Sequence, residues 1–142
     1  MEKVSYEISI SAPPEKVFDL ISGVEGFTRY SSLIKEIKRL NGKRFLWKIE
    51  VFGIPLTWEA EVTESKKPEI FRWRSVKGVY NAGSYSLKPS GKGTAVRFEM
   101  QYTIPIKIIE EITYPIISPI IKDVYAELLA NIRKELEEKE NP

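Results

Sequence analysis

The chain has 142 residues, of which 42% are hydrophobic and 30% charged, and its net charge is +2. These values are typical of a globular protein with one core and exclude a disordered segment, while the interspersed charges exclude a basic nucleic-acid-binding face. The sequence has no cysteine and no histidine, which excludes disulfides, thiolate nucleophiles, zinc–thiolate sites and the commonest general base.

The N-terminal part of the chain predicts one strand and two short helices. Residues Val4 to Ile10 alternate between apolar and polar side chains, as a strand does. The segment Ser11 to Pro14 then stops the strand and starts a helix, because proline is tolerated in a first helical turn. Gly23 ends this helix, and a second short turn or helix follows from Phe27 to Tyr30.

From Ile34 onward the apolar residues recur with a period of two, which predicts a meander of antiparallel strands with one dry face. Turn-forming residues separate these strands at Asn41-Gly42, Gly53 to Pro55, Lys66 to Pro68, Gly78 and Pro89 to Gly93. Trp47, Trp58 and Trp73 fall on three successive strands, and each shares its phase with apolar neighbours. We therefore expect the aromatic rings to gather on one side of one sheet.

A long helix is predicted at the C-terminal end. An apolar stripe at helical spacing defines it, formed by Val124, Leu128, Ile132 and Leu136 and widened by Ile121, Tyr125 and Leu129. Pro115 and Pro119 are not expected inside one straight helix. The segment Ile106 to Ile117 is therefore predicted to be a separate turn or short helix, with Ser118-Pro119 starting the long one.

This order of elements resembles the START-like, or helix-grip (SRPBCC), superfamily, and within it the polyketide cyclase/dehydratase-like and coenzyme Q-binding proteins. Three stretches carry the likeness: Ser11 to Leu20 after the first strand, Phe71 to Ser75 followed by Gly78, and Gly83 to Pro89. The resemblance implies an α+β helix-grip fold, in which a curved antiparallel sheet wraps around a long C-terminal helix. It also implies a single START-like domain over residues 1–142, with a cavity for lipids, quinones, hormones or polyketides.

The width of the aromatic face favours a ligand-binding site. One helix does not contact every side chain of so wide a face at native density, so we expect some rings to line a hollow, while others form plain core. Buried Trp N–H and Tyr O–H groups give such a hollow its polar anchors. The predicted ligand-binding residues are Trp47, Trp58, Trp73, Ser75, Tyr85, Phe98 and Tyr102 on the sheet, with Tyr30, Ile117, Ile121 and Tyr125 at the mouth or lid.

Polar residues near this face have two interpretations. Ser75 either binds a ligand carbonyl or satisfies a neighbouring backbone group. Arg72 and Arg74 are expected in solvent, unless a bulge swings them inward and creates an anion site. Glu110 and Glu111 are the only acid/base candidates, because alternation places Glu59 and Glu61 on the solvated face. We assign no catalytic residue, and we expect no metal and no cofactor.

Three functions remain open at this stage. The first is binding or transport of a small hydrophobic molecule, the second is a cyclase or dehydratase acting on a polyketide-like substrate, and the third is a co-chaperone or ribosome-associated module. The isoleucine-rich segment Ile104 to Ile121 is either a lid or a surface that transiently contacts a membrane or a protein. We expect a cytoplasmic location, because Met1 to Ile10 resembles no signal peptide. The abundance of Ile, Glu and Lys is typical of thermophile proteins.

Overall fold

The structure is a computed structural model. It describes the backbone of residues 2–51, 53–103 and 114–140, and the side chains of these residues except 114–120, 139 and 140. The elements, in chain order, are strand β1 (Glu2–Ile10), helix α1 (Pro14–Ser22), a 3₁₀ helix (Val24–Arg29), strands β2 (Ile34–Arg39), β3 (Arg44–Val51), β4 (Ile54–Lys66), β5 (Ile70–Gly78), β6 (Asn81–Ser90) and β7 (Gly93–Tyr102), and helix α2 (Tyr114–Glu140).

The strands form one antiparallel sheet in the order β1-β7-β6-β5-β4-β3-β2. The meander from β2 to β7 follows the chain, and β1 closes the order by pairing with β7 along its whole length. The sheet curls around α2, which contacts β1 and α1. The predicted α+β helix-grip fold is confirmed.

Alternation along the strands decides which side chains face α2. On β7, Val96, Phe98 and Met100 are buried, whereas Arg97 and Glu99 between them are exposed. The pairing of β4 with β5 is interrupted twice, at Glu59/Ala60 and at Val62/Glu64. Such bulges bend a strand and increase its twist, which helps the sheet to curl.

These bulges do not turn the two arginines of β5 inward. Arg72 and Arg74 are exposed on the outer face, and the Arg72 guanidinium forms an ion pair with Glu64 at 2.9 Å. The outer face of β5 is therefore polar and open to water, and the alternative anion site inside the sheet is not formed.

The two short helices close one end of the curled sheet. Helix α1 begins at Pro14 in its first turn and buries Val17, Phe18 and Ile21. The 3₁₀ helix buries Val24 and Phe27. The first predicted helix is confirmed. The second begins at Val24, three residues before its predicted start, and brings the ring of Phe27 towards β3.

Helix α2 differs from its prediction at the N-terminal end. It begins at Tyr114, so it includes both Pro115 and Pro119. The prediction of a separate helix ending at Ile117 is wrong for residues 114–117, and its residues 106–113 lie outside the described part of the chain. Pro115 lies in the first turn, where the main-chain N–H groups are unpaired in any case. Pro119 is the sixth residue of the helix, so it removes one main-chain hydrogen bond. The predicted apolar stripe is confirmed, with Val124, Tyr125, Leu128, Leu129, Ile132 and Leu136 all buried.

Among the described residues, no helix combines the length and the apolar character that crossing a bilayer requires.

Candidate ligand-binding site

A small cavity lies between the concave face of the sheet, the 3₁₀ helix and α2. Every one of these elements contributes side chains to its wall, and the wall is largely aromatic. The lining residues are Val24, Phe27, Phe45, Trp47, Trp58, Ala60, Glu61, Val62, Phe71, Trp73, Asn81, Tyr85 and Tyr125. All three tryptophans of the chain therefore meet at one site, as the alternation predicted.

The cavity has a volume of about 20 Å³. On this measure a single water molecule needs roughly 10–15 Å³. The described walls thus enclose space for about one water, which is much less than the volume of a lipid or a polyketide. The wide hollow that the sequence predicts is largely filled by the protein's own rings.

Ring contacts explain why the space is small. Trp47 and Trp58 lie opposite each other on β3 and β4, and their rings stack with centroids 5.5 Å apart and planes 15° apart. Phe27 packs edge-on against Trp47, with ring centroids 6.0 Å apart. Stacked rings stabilise each other beyond the contribution of their buried area. A ligand that enters has to part these rings.

Five of the predicted binding residues line the cavity, namely Trp47, Trp58, Trp73, Tyr85 and Tyr125. Phe98 is buried but does not line the cavity, and its ring contacts Tyr85, Trp73 and Tyr125 at centroid distances of 5.2, 6.0 and 4.4 Å. Tyr102 is buried at the end of β7, opposite Asn81. The structure thus places Phe98 and Tyr102 in the core rather than in the wall.

The predicted mouth residues are separated in the structure. Tyr30 follows the 3₁₀ helix and is buried, but its hydroxyl donates a hydrogen bond to the Glu135 carboxylate on α2 instead of facing the cavity. Its backbone carbonyl accepts a hydrogen bond from Asn131 Nδ2 at 2.8 Å. Ile121 is half-buried against the core, and the side chain of Ile117 lies outside the described part. Tyr30 therefore fastens the 3₁₀ helix to α2.

Ser75 serves the backbone, in line with the second of its two interpretations. Its Oγ accepts a hydrogen bond from the backbone N–H of Asn81 at 2.9 Å. Asn81 in turn accepts a hydrogen bond from Trp73 Nε1 at 2.9 Å and donates one from Nδ2 to the Val79 carbonyl at 3.2 Å. This network holds the Trp73 indole in place at the cavity wall.

Sequence reasoning missed several lining residues. Asn81 shares the phase of Gly83 and Tyr85, so the alternation on β6 contains the signal that finds it. Glu61 is half-buried and borders the cavity, which corrects its assignment to the solvated face. The reason is the pair of bulges that flank this part of β4, since a bulge interrupts strict alternation.

Tyr85 and Tyr125 are the buried phenols of the wall, with 2% and 8% of their surface exposed. Burial raises the pKa of both hydroxyls far above the usual value near 10, and the neighbouring Tyr125 adds to the rise at Tyr85. Both groups are therefore neutral hydrogen-bond donors at any physiological pH. No group of three or more Asp and Glu side chains among the described residues is placed to hold a metal ion.

Comparison with known proteins places this fold in the START-like class. A solved structure from Thermus thermophilus matches with a TM-score of 0.81 and 23% identity, over 97% of this chain and 99% of that one. A START superfamily protein from Mycobacterium smegmatis matches with a TM-score of 0.74 and 14% identity, over 96% and 97% of the two chains. The Zhui aromatase/cyclase from a Streptomyces species has a TM-score of 0.74 and 12% identity, over 96% and 93%.

The family follows from the sequence match. Residues 1–137 match the profile of the family described as polyketide cyclase/dehydrase and lipid transport, and the chain belongs to this family. No curated protein sequence matches the chain. The family and the fold together support a ligand-binding fold, and the family is known for binding small hydrophobic molecules.

Proposed function

We propose that this protein binds or carries a small hydrophobic molecule, such as a lipid, a quinone or a polyketide-like compound, in the cavity between the sheet and α2. The observation that carries the proposal is the composition of the wall. It is formed mostly by aromatic and aliphatic side chains, and its two buried phenol hydroxyls have no protein partner among the described residues. An apolar wall with a few polar groups is the usual constitution of a small-molecule site.

Binding requires the rings to move, because the cavity of about 20 Å³ accommodates only a water-sized molecule. Side chains in a core change rotamer without unfolding, and stacked rings are held by dispersion and burial rather than by covalent restraints. We infer that the cargo replaces ring–ring contacts with ring–ligand contacts of the same kind. The exchange keeps the apolar wall covered in both states.

The alternative is an enzyme of the cyclase or dehydratase type. General acid–base catalysis is most efficient when the pKa of the catalytic group lies near the working pH. The two phenols of the wall have a pKa raised far from neutrality, and Glu61 is the only carboxylate among the described lining residues. This lining favours binding over turnover. A cyclase activity that disappears in Y85F and Y125F while binding persists is the result that reverses this preference.

Fluorescence gives a direct test, since all three tryptophans line the cavity. The neutral molecules N-phenyl-1-naphthylamine and pyrene serve as probes, with quenching of tryptophan emission and calorimetry as readouts. We expect saturable binding with one site per chain. If neither probe nor an extract of hydrophobic molecules from the native source binds, the proposal is wrong.

Two variants in which leucine replaces an alanine locate the binding site. Ala60 is buried in the cavity wall, whereas Ala82 lies on the outer face of the sheet, opposite Arg74. We expect Ala60→Leu to fill the cavity and abolish binding, and Ala82→Leu to leave binding unchanged. Circular dichroism confirms that both variants are folded. Equal binding by the two variants places the probe elsewhere on the protein.

A further inference from the structure

Two hydroxyl groups border the cavity from opposite walls. Tyr85 extends from β6 and Tyr125 from α2, and both rings contact Phe98, with centroid distances of 5.2 Å and 4.4 Å. The sheet and the helix thus each supply one phenol to the same small space.

Neither hydroxyl has a hydrogen-bond partner within the part of the chain that the structure describes. Every fully enclosed side-chain nitrogen or oxygen there does have a partner. The two phenol oxygens are therefore not fully enclosed by protein atoms, and both residues line the cavity. Buried hydroxyls in proteins nearly always have a partner, so two of them at one cavity indicate a missing acceptor.

Three other polar side chains of the wall, those of Trp73, Asn81 and Glu61, already have partners or have the wrong polarity. Trp73 Nε1 donates to Asn81 Oδ1 at 2.9 Å, and Asn81 Nδ2 donates to the Val79 carbonyl at 3.2 Å. Glu61 is an acceptor when ionised and does not compete for the same ligand atom. Among the described lining residues, the donors without a hydrogen-bond partner are the two phenols and the indole N–H groups of Trp47 and Trp58, and only the phenols pair one donor from the sheet with one from α2.

Charge and ring geometry restrict the ligand further. No lysine or arginine is among the described lining residues, so a carboxylate that enters the cavity is buried without a counter-charge, which is costly. A neutral carbonyl oxygen avoids this cost, and its two lone pairs accept two donors at once. The near-parallel rings of Trp47 and Trp58 offer a flat apolar surface beside it.

We propose that Tyr85 and Tyr125 are specificity-determining residues that together donate hydrogen bonds to one neutral carbonyl oxygen on a flat, ring-containing ligand. The proposal rests on the ligand-binding function proposed above and adds the class of ligand. It also means that a bound carbonyl joins the sheet to α2 through its two hydrogen bonds.

Three naphthalene probes of nearly equal shape test this assignment by calorimetry. They are 2-acetylnaphthalene, which carries a ketone, 2-isopropenylnaphthalene, which replaces the oxygen by CH₂, and 2-naphthoate, which carries a carboxylate. We expect the wild-type protein to bind the ketone about tenfold more tightly than the alkene, the gain expected from two neutral hydrogen bonds, and to bind naphthoate least.

The variants Y85F and Y125F should each weaken ketone binding about three- to fivefold and leave alkene binding unchanged. Tyr80→Phe is the matched control, because Tyr80 is exposed and does not line the cavity. The infrared carbonyl stretch of the bound ketone gives a second readout. It should shift to lower frequency in the wild-type protein and return towards the unbonded value in each variant.

The outcomes separate this inference from the function on which it rests. Equal affinity for ketone and alkene, or equal losses for both in the two variants, overturns the carbonyl selection and leaves ligand binding intact. Binding of N-phenyl-1-naphthylamine or pyrene without binding of 2-acetylnaphthalene also overturns it. Binding of no probe at all refutes both proposals.

Discussion

The interior of this protein has two halves that are packed differently. The solid half surrounds the later turns of α2, where Leu128, Leu129 and Ile132 are fully buried with the apolar side of α1. The cavity half surrounds Tyr125 and consists mainly of aromatic rings from β3 to β6. The same sheet and the same helix form both halves, so the difference lies in the side chains.

Branched aliphatic side chains interlock from many directions and leave no gap, whereas rings stack in one direction and carry polar atoms at their edges. A ring-lined wall thus leaves small spaces and unpartnered hydroxyls that an aliphatic core lacks. We expect the solid half to contribute most of the stability, and the cavity half contains the proposed ligand-binding site. Four substitutions test this division, from the largest expected effect to the smallest.

Leu128→Ala should destabilise the protein most. The side chain is 0% exposed in the solid half, and truncation of a buried leucine costs about 2–5 kcal/mol in lost burial and cavity formation. Urea denaturation measures the loss in the free energy of unfolding. Leu40→Ala is the matched control, since Leu40 is 42% exposed and should cost less than about 0.5 kcal/mol. Similar losses for the two variants contradict a solid half.

Asn81→Ala should cost about 1–3 kcal/mol, because it leaves the Trp73 indole N–H and the Val79 carbonyl without their partners. Asn41 provides a comparison in the exposed turn before β3, where its Oδ1 accepts the backbone N–H groups of Lys43 and Arg44. We expect a smaller loss for Asn41→Ala. A larger loss at Asn41 shows that the network at the cavity wall is unimportant for stability.

Tyr30→Phe should change the pH dependence of stability. Burial, together with the hydrogen bond to Glu135, raises the pKa of Tyr30 from about 10 to about 12. A hydroxyl whose pKa is raised on folding stabilises the folded state fully below pH 10, and this contribution is lost as the pH rises towards 12. We expect the wild-type protein to lose about 1–2 kcal/mol of this contribution across the interval and the variant to lose none of it.

Urea titrations at pH 9 and pH 11.5 measure this difference. Tyr85 and Tyr125 also have a raised pKa, so the free energy of unfolding of the variant still decreases with pH. Only the part of this slope that comes from the Tyr30 proton disappears. Tyr80→Phe, at an exposed position, is the control and should keep the wild-type slope. An unchanged slope in Tyr30→Phe shows that the contact between the 3₁₀ helix and α2 does not hold in solution.

Tyr85→Phe should have the smallest effect on stability. Its hydroxyl has no partner in the described part of the chain, so its removal breaks no hydrogen bond and relieves the cost of burying a polar group. We expect the free energy of unfolding to stay within about 0.5 kcal/mol of the wild type or to rise. A loss above about 1.5 kcal/mol reveals a hydrogen bond at this hydroxyl and removes the argument for a missing acceptor.

Much of the fold is predictable from local pattern. The alternation from Ile34 onward predicts the meander and places Trp47, Trp58 and Trp73 on one face, and the structure confirms both. Turn residues predict the hairpin ends, and the apolar stripe predicts the buried side of α2. These features are local, since a strand or a helix determines by its own period which side chains share a face.

The site is less predictable, because it depends on contacts between distant elements. Bulges in β4 place Glu61 at the cavity edge against the local alternation. Tyr30 is predicted at the mouth of the cavity, yet its hydroxyl donates a hydrogen bond to the carboxylate of Glu135 on α2. Phe98 lies opposite Tyr85 on the neighbouring strand, yet only Tyr85 lines the cavity. None of these outcomes follows from the residues next to them in the chain.

The sequence by itself determined the order of elements, the dry face of the sheet and the gathering of the tryptophans, because each depends on a short-range period. Only the tertiary structure decided that the rings fill most of the space they enclose, and that Tyr85 and Tyr125 meet there without partners. The physical reason is that packing volume and hydrogen bonding are set by the distances between side chains from different elements, and no one-dimensional pattern contains those distances.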